Sequence, residues 1–395
     1  MKPVYLDYHA TTPVDPRVLD AMLPYFTEKF GNAASRQHAW GWEARDAVDA
    51  ARARVAALIN ASASEITFTS GASESNNLAI KGVVASRRDS GRHVVTSAVE
   101  HKSVLDVCKA FAHDGCDVTV VGVRPDGMID LDALERAVRP GTVLVSVMAA
   151  NNEIGTIQPL AEMARIAHAG GALFHTDAAQ AAGKIPLDVV AADVDLLSLT
   201  AHKFYGPKGS GALFIRRRRP RLSIPAQIAG GGQEGGLRSG TLNVPGIVGL
   251  GTAAEICRLE MGAEAARLAA LRDRLLQQLT ARLDGVHVNG TMTPRLPHNL
   301  HVSFDGVEGE ALLMALGDLA VSTGSACSSG SQAVSHVMEA IGATGDRGRA
   351  SIRFGLGRAT SDDDIAVAVE CVTSAVSSLR RRSAPAGAAS SAPGR

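Results

Sequence analysis

Short apolar runs rich in β-branched residues recur along the first half of the chain, at 66–69, 93–96, 118–121, 143–147, 172–175, 194–198 and 212–215. Helix-like segments lie between several of them, at 74–87, 102–112, 131–138 and 159–169. Strands that alternate with helices predict βαβ units and a mainly parallel sheet covered on both faces. In such a sheet ligands sit at the carboxyl ends of the strands. From about 245 to 283 the pattern is one long helix rich in Ala, Leu, Glu and Arg, with Gly262 inside it. After it come a strand (300–304), a helix (309–316), a further strand, a helix (332–341), a strand (350–354) and a helix (362–379). The reading is a large α/β domain over 16–257 and a smaller α+β domain made of 1–15 and 258–380. A basic, then Ser/Ala/Pro/Gly-rich tail over 381–395 is expected to be disordered. No internal repeat is visible.

Composition narrows the function. The chain has 395 residues, enough for two domains. Lys plus Arg (40) equals Asp plus Glu (40), which argues against a protein built to grip nucleic acid or an anionic membrane. Aromatic residues are 4%, too few for a base-stacking platform. The five cysteines, at 108, 116, 257, 327 and 371, are odd in number and show no C-x-x-C spacing, so neither a disulfide framework nor a zinc ribbon is expected. Met1 to Asp7 carries no apolar run of the signal-peptide kind, and runs such as 143–150 fall short of the ~20 residues that span a bilayer. These features suit a cytoplasmic protein that makes no direct contact with nucleic acid or membrane.

Candidate chemistry gathers just after the predicted strands. Lys203 follows one, flanked by Thr200, His202 and the Gly-rich turn 206–209. An amine there suits Schiff-base formation, which requires loss of a proton favoured by partial burial. Taken alone, a surface lysine in a turn is the commoner reading. Asp177 ends another strand, and a buried carboxylate requires a cationic partner; a turn-capping Asp is the alternative. Thr69 to Asn76 joins a strand to a helix through small residues, and the helix N-terminus with the Ser73 hydroxyl would hold an anion; many helices begin this way without a ligand. His101 follows the strand at 93–96, where it would stack on a flat ring, move protons or merely start a helix. Cys327 lies in the small, polar stretch 321–331, where a cysteine reads as a reachable thiol rather than a core filler. Cys108, Cys257 and Cys371 sit in apolar helical patterns and read as structural, while Cys116 stays undecided. Arg216 to Arg219 with Arg221 read as a solvated turn, a docking patch for an acidic partner being the alternative.

In order along the chain, 5–13 (YLDYHATTP), 30–32 (FGN), 69–75, 100–102 (EHK), 151–155 (NNEIG), 177–180 (DAAQ), 202–209, 238–241 (RSGT) and 324–327 (GSAC) resemble the cysteine desulfurases of the NifS and IscS type. These belong to aminotransferase class V and share the fold type I of pyridoxal phosphate enzymes. The resemblance covers the chain to about residue 380. It implies that Lys203 carries pyridoxal 5′-phosphate (PLP) and shuttles the Cα proton. Asp177 would pair with the ring nitrogen, Gln180 with the ring hydroxyl, and His101 would stack on the ring. Asn152 would lie near the phenolic oxygen and the substrate. Ala72, Ser73, Thr200 and His202 would hold the phosphate, with Thr241 reaching in from a second subunit of a homodimer. Arg353 would bind the substrate carboxylate, assisted by Asn32. Cys327 would take sulfur from L-cysteine as a persulfide, leaving L-alanine, and pass it to acceptor proteins. No stable metal site is implied, although Cys327 could transiently ligate an iron–sulfur cluster.

The chain departs from the family pattern at Ser73 (usually Thr), Thr200 (usually Ser), Ala33 (usually Pro), Gly355 (usually Ser) and 331–335, which lacks the usual Leu-Glu-Pro. A class V aminotransferase or selenocysteine lyase that does not use Cys327 is the rival reaction, and a non-catalytic sulfur-pathway scaffold is a further alternative. Iron–sulfur cluster assembly is the preferred destination of the sulfur. DNA phosphorothioation and tRNA thiolation are the alternatives.

Overall fold

The computed structural model describes residues 3–217, 222–323 and 334–383. The N-terminal segment carries strand β1 (Val4–Tyr5) and helices α1 (Pro16–Met22), α2 (Pro24–Thr27) and α3 (Ala39–Leu58). Alternation follows: β2 (Ile66–Thr69), α4 (Ala72–Ser86), β3 (His93–Ser97), α5 (Lys102–His113), β4 (Asp117–Val121), α6 (Leu131–Ala137), β5 (Thr142–Ser146), α7 (Leu160–Ala169), β6 (Leu173–Asp177), β7 (Leu196–Thr200) and β8 (Gly211–Ile215). Helix α8 (Val244–Arg282) leads to β9 (Val286–Val288), β10 (Asn299–Phe304), α9 (Gly309–Ala315), β11 (Leu319–Ala320), α10 (His336–Ala340), α11 (Gly345–Arg349), β12 (Ser351–Gly355) and α12 (Asp362–Ser383).

Seven strands form one sheet in the order β2-β8-β7-β6-β5-β3-β4. The pairs from β4 to β7 are parallel, and β8 runs against both β7 and β2. Every residue of β2, β3, β5, β7 and β8 is buried, as expected of strands with helices on both faces. The carboxyl ends of β2, β3, β5, β6 and β7 therefore share one edge, the edge that holds the candidate residues. Gly211 makes its tightest point possible. A Cβ there would meet Gly71 Cα at 2.6 Å and Leu199 O at 2.7 Å.

Two hydrophobic cores share α8. Its first half buries Val244, Ile247 and Leu250 against the large sheet's helices. Its second half buries Leu268, Leu271, Leu275 and Leu279 against β10, β12 and α12. The N-terminal segment joins them, with Leu6 in the second core and Tyr8 in the first.

Some elements differ from the sequence reading. Helix α3 was not expected; its buried face is mostly Gly41, Ala44, Val48, Ala51 and Val55, too small to stand out as an apolar stripe. Those small residues allow close approach to α8, where a Cβ on Gly251 would lie 2.5 Å from Ala51 Cα. The helix expected over 332–341 begins at His336, because the Ser335 hydroxyl caps it by accepting the Val337 N–H; residues 332–333 lie outside the described residues. Helix α12 continues to Ser383, so the expected tail begins later than 381; residues 384–395 lie outside the described residues. Arg216 is not a solvated turn residue: its Nε donates to the Val194 carbonyl at 2.6 Å. Arg218, Arg219 and Arg221 lie outside the described residues. Cys116 is buried, like Cys108 and Cys257. No described helix is long and apolar enough to cross a membrane.

Candidate active site

Lys203 ends a single helical turn, 201–203, directly after β7. Its Nζ donates to the carbonyls of Ala10, at 3.0 Å, and His9. The neighbouring β6 ends in Asp177, which is 5% exposed. Its Oδ2 accepts from the Asn76 amide at 2.7 Å and its Oδ1 from the Ala179 N–H at 2.9 Å. Asp177 is thus a buried carboxylate with no cationic side chain paired to it among the described residues. A protonated ring nitrogen would complete it.

His101 caps α5, and its Nδ1 accepts the Ser103 N–H at 3.1 Å. An Nδ1 that accepts leaves the proton of the neutral ring on Nε2. Burial holds the imidazole below its ordinary pKa, with Lys203 and His336 acting in the same direction against Asp177. His101 is therefore a neutral ring, suited to stacking and proton transfer.

The anion site is built at the start of α4. Gly71 precedes the helix at φ +154°, and a Cβ there would sit 3.5 Å from the Thr200 hydroxyl. Ala72 and Ser73 form the first turn, whose N–H groups lack intrahelical partners. Ser73 is exposed and Thr200 buried. His202 Nδ1 bonds the Thr11 hydroxyl at 3.1 Å, and burial together with Lys203 and Lys208 pushes it down to about 4. It is uncharged at neutral pH, so it offers a hydrogen bond rather than a charge to an anion.

Arg353, on β12, is 3% exposed. It bonds the Asn152 carbonyl at 2.8 Å and pairs with Asp7 at 2.8 Å, while its Nε is buried without a partner. Asn152 is brought here by a turn in which the Asn151 side chain accepts the N–H groups of Glu153 and Ile154. Gln180 faces His9 rather than open space: its Oε1 lies 3.0 Å from His9 Nδ1 and its Nε2 donates to the His9 carbonyl at 3.0 Å.

Two expected residues stand apart within a single chain. Asn32 is exposed and accepts the Ala34 N–H, lining a cavity of about 950 Å³ with Arg52 and Glu234. Thr241 is exposed beside the loop that Arg238 ties to Glu74 at the α4 start. Cys327 lies outside the described residues. His9, Asn76 and Asp7 were missed as site residues, although 5–13 and 69–76 had been singled out. The available signal was Asn76 itself, a polar residue on the buried face of α4.

A lysine, a buried acid and a helix-start imidazole at adjacent strand ends, with an anion cradle beside them, define a fold type I enzyme site. The aminotransferase class V profile matches residues 4–367, and the chain belongs to that family. Within it, the chain is 56% identical over 381 residues to a cysteine desulfurase IscS of Anaeromyxobacter sp. strain Fw109-5, covering 96% of this chain and 94% of the relative. A solved NifS-like protein superposes with a TM-score of 0.89 at 38% identity, over 95% of this chain and 100% of its own. A structure described as SspA in complex with cysteine gives a TM-score of 0.79 at 36% identity, over 89% and 98%. The chain is a cysteine desulfurase.

Proposed function

We propose that the enzyme takes sulfur from L-cysteine with PLP as cofactor and Cys327 as first acceptor, releasing L-alanine. The observation that carries the cofactor reading is the buried Asp177, paired with no cationic side chain among the described residues, at the strand end next to Lys203. When bound, PLP supplies an electron sink for the substrate's Cα–H electrons. Asp177 holds a proton on the ring nitrogen, and the Asn76 amide holds Asp177. The α4 N-terminus, Thr200 and His202 bind the phosphate. Lys203, which now donates to the His9 and Ala10 carbonyls, would hold the cofactor and move the Cα proton. Arg353, steadied by Asp7, orients the substrate carboxylate with Asn152 nearby. The Cys327 thiolate attacks the substrate sulfur, forming an S–S bond as the C–S bond breaks and leaves its electron pair on Cβ; protons returned to Cβ and Cα give alanine.

The same reading makes the enzyme a cytoplasmic homodimer in which Thr241 serves across the interface, with Asn32 assisting Arg353. The persulfide passes to acceptor proteins, with iron–sulfur assembly the preferred destination and DNA phosphorothioation the alternative. The test measures alanine and sulfide together for wild type and Cys327→Ser. The variant is expected to retain PLP and make neither product. A variant as active as wild type overturns the role of Cys327 and favours aminotransferase or lyase chemistry.

A further inference from the structure

An unbroken line of hydrogen bonds joins the segment before β10 to Gln180. Arg295 is 6% exposed, and no carboxylate pairs with it among the described residues. Its Nε donates to the Thr291 carbonyl at 2.6 Å, its Nη2 to the Asn289 carbonyl and its Nη1 to Asn299 Oδ1 at 3.1 Å. Asn299, fully buried on β10, donates from Nδ2 to the Glu153 carbonyl at 2.9 Å and faces His9 Nε2 at 3.0 Å. His9 is fully buried, stacks on His298 at 4.3 Å and meets Gln180 as described.

Each group in this line has only one possible orientation. A guanidinium only donates and a carbonyl only accepts. Arg295 therefore fixes Asn299 Oδ1, and the Glu153 carbonyl fixes its Nδ2. His9 Nε2, facing that donor, must accept. Burial and the nearby Arg353 keep His9 neutral, so its single proton lies on Nδ1. That N–H donates to Gln180 Oε1. The Gln180 Nε2, donating to the His9 carbonyl, holds the amide the same way round from its other end. The carbonyl that receives this N–H also receives Lys203 Nζ.

We propose that Arg295, Asn299 and His9 are positioning residues that lock the Gln180 amide with its second N–H directed to the ring hydroxyl oxygen of the cofactor. The proposal rests on the PLP reading above. Without the His9 Nδ1–H only the shared main-chain carbonyl of residue 9 holds the amide, and its N–H is aimed at the ring oxygen less strictly. Donors aligned in one direction from a buried cation also strengthen the terminal donor. The segment before β10 thereby sets a hydrogen bond beside Lys203.

The test strips the full-length enzyme of cofactor and measures equilibrium binding of PLP and of 3-deoxypyridoxal 5′-phosphate, which lacks the ring hydroxyl. His9→Phe keeps the stack on His298 and removes both ring nitrogens. It is expected to bind PLP about tenfold more weakly, equal to ~1.4 kcal/mol, and the deoxy analogue as wild type does. His9→Asn, whose amide N–H replaces Nδ1–H, restores the preference for PLP. Should His9→Phe not fold, Asn299→Asp serves: an acceptor at 299 moves the His9 proton to Nε2, lets Gln180 turn over and weakens PLP selectively. Equal weakening of both ligands, or an undiminished preference for PLP in His9→Phe or Asn299→Asp, overturns the relay. A wild-type chain that binds neither ligand overturns the cofactor reading beneath it.

Discussion

Replacing Glu264 by Ala should cost about 3–5 kcal/mol of folding stability. Lys184 has a side chain only 3% exposed, and its Nζ lies 3.5 Å from Glu264 Oε1. The same carboxylate accepts from Tyr205 Oη at 2.7 Å and from Arg358 Nε at 2.8 Å. The Tyr205 ring packs against both cations, 4.0 Å from Lys184 Nζ and 4.1 Å from the Arg358 guanidinium. Without Glu264 three donors lose their acceptor and two cations are left on one ring without the carboxylate they share. The penalty is that of an uncompensated buried charge rather than of a surface pair, which is worth ~1 kcal/mol or less. Lys184 already lies below its ordinary range, burial outweighing the pull of Glu264. A base whose folded pKa is depressed loses folding stability as pH falls below its unfolded pKa of about 10.4. The deficit of the variant should therefore shrink as pH rises toward 10. Urea unfolding followed by circular dichroism measures it. Glu264→Leu combined with Lys184→Met should recover most of the loss, because an apolar pair of similar volume replaces a buried ion pair at little cost. A loss under ~1 kcal/mol for Glu264→Ala, or a double variant as unstable as the sum of its singles, would refute the reasoning.

Gly211→Ala should lose about 1–3 kcal/mol by overpacking, because the new Cβ would meet backbone atoms of Gly71 and Leu199 under 3 Å away and neither can rotate aside; an unchanged thermal midpoint contradicts this. Glu100 is fully buried, accepts from Ser97 Oγ and the Met148 N–H on Oε1, and is pushed up to about 8 chiefly by burial. A raised folded pKa means that wild-type stability falls as pH rises from about 4.5 to about 8, by up to ~1.4 kcal/mol per unit. Glu100→Gln lacks that slope, so its stability relative to wild type should rise between pH 5 and pH 8 in urea unfolding, and parallel curves would count against it.

What the sequence shows plainly is what local pattern controls. The strands from β2 to β8 are short and apolar, and all but β4 are almost wholly buried, so each stands out as an apolar run. Asp177, Lys203 and His101 follow such runs at once, and a polar residue at that place is conspicuous. The supporting residues are hidden because their partners are remote. His9 and Asn299 meet across 290 positions, Arg353 and Asp7 across 346. Asn76 sits mid-helix, where an Asn usually faces solvent; only the packing of α4 over β6 turns it onto Asp177. Helix α3 is hidden for another reason, since its contact with α8 runs through small residues.

The remote contacts determine where Lys203 can stand. Two residues beyond it Tyr205 adopts φ +68°, a left-handed conformation costly for a bulky side chain. Such a residue stores about 1–3 kcal/mol and persists only where its surroundings over-determine it. The N-terminal segment does so. Thr12 N and Oγ1 both donate to the His202 carbonyl, the Thr12 hydroxyl accepts the Tyr205 N–H at 2.8 Å, and Asp15 N donates to the Tyr205 carbonyl at 3.0 Å. From the other side the Tyr205 hydroxyl accepts the Arg358 N–H at 2.8 Å and donates to Glu264. The turn that carries Lys203 is thus clamped by the start of the chain, by α8 and by the segment after β12. The reactive amine is read from the strand that precedes it, but its placement depends on residues that only the folded chain brings together.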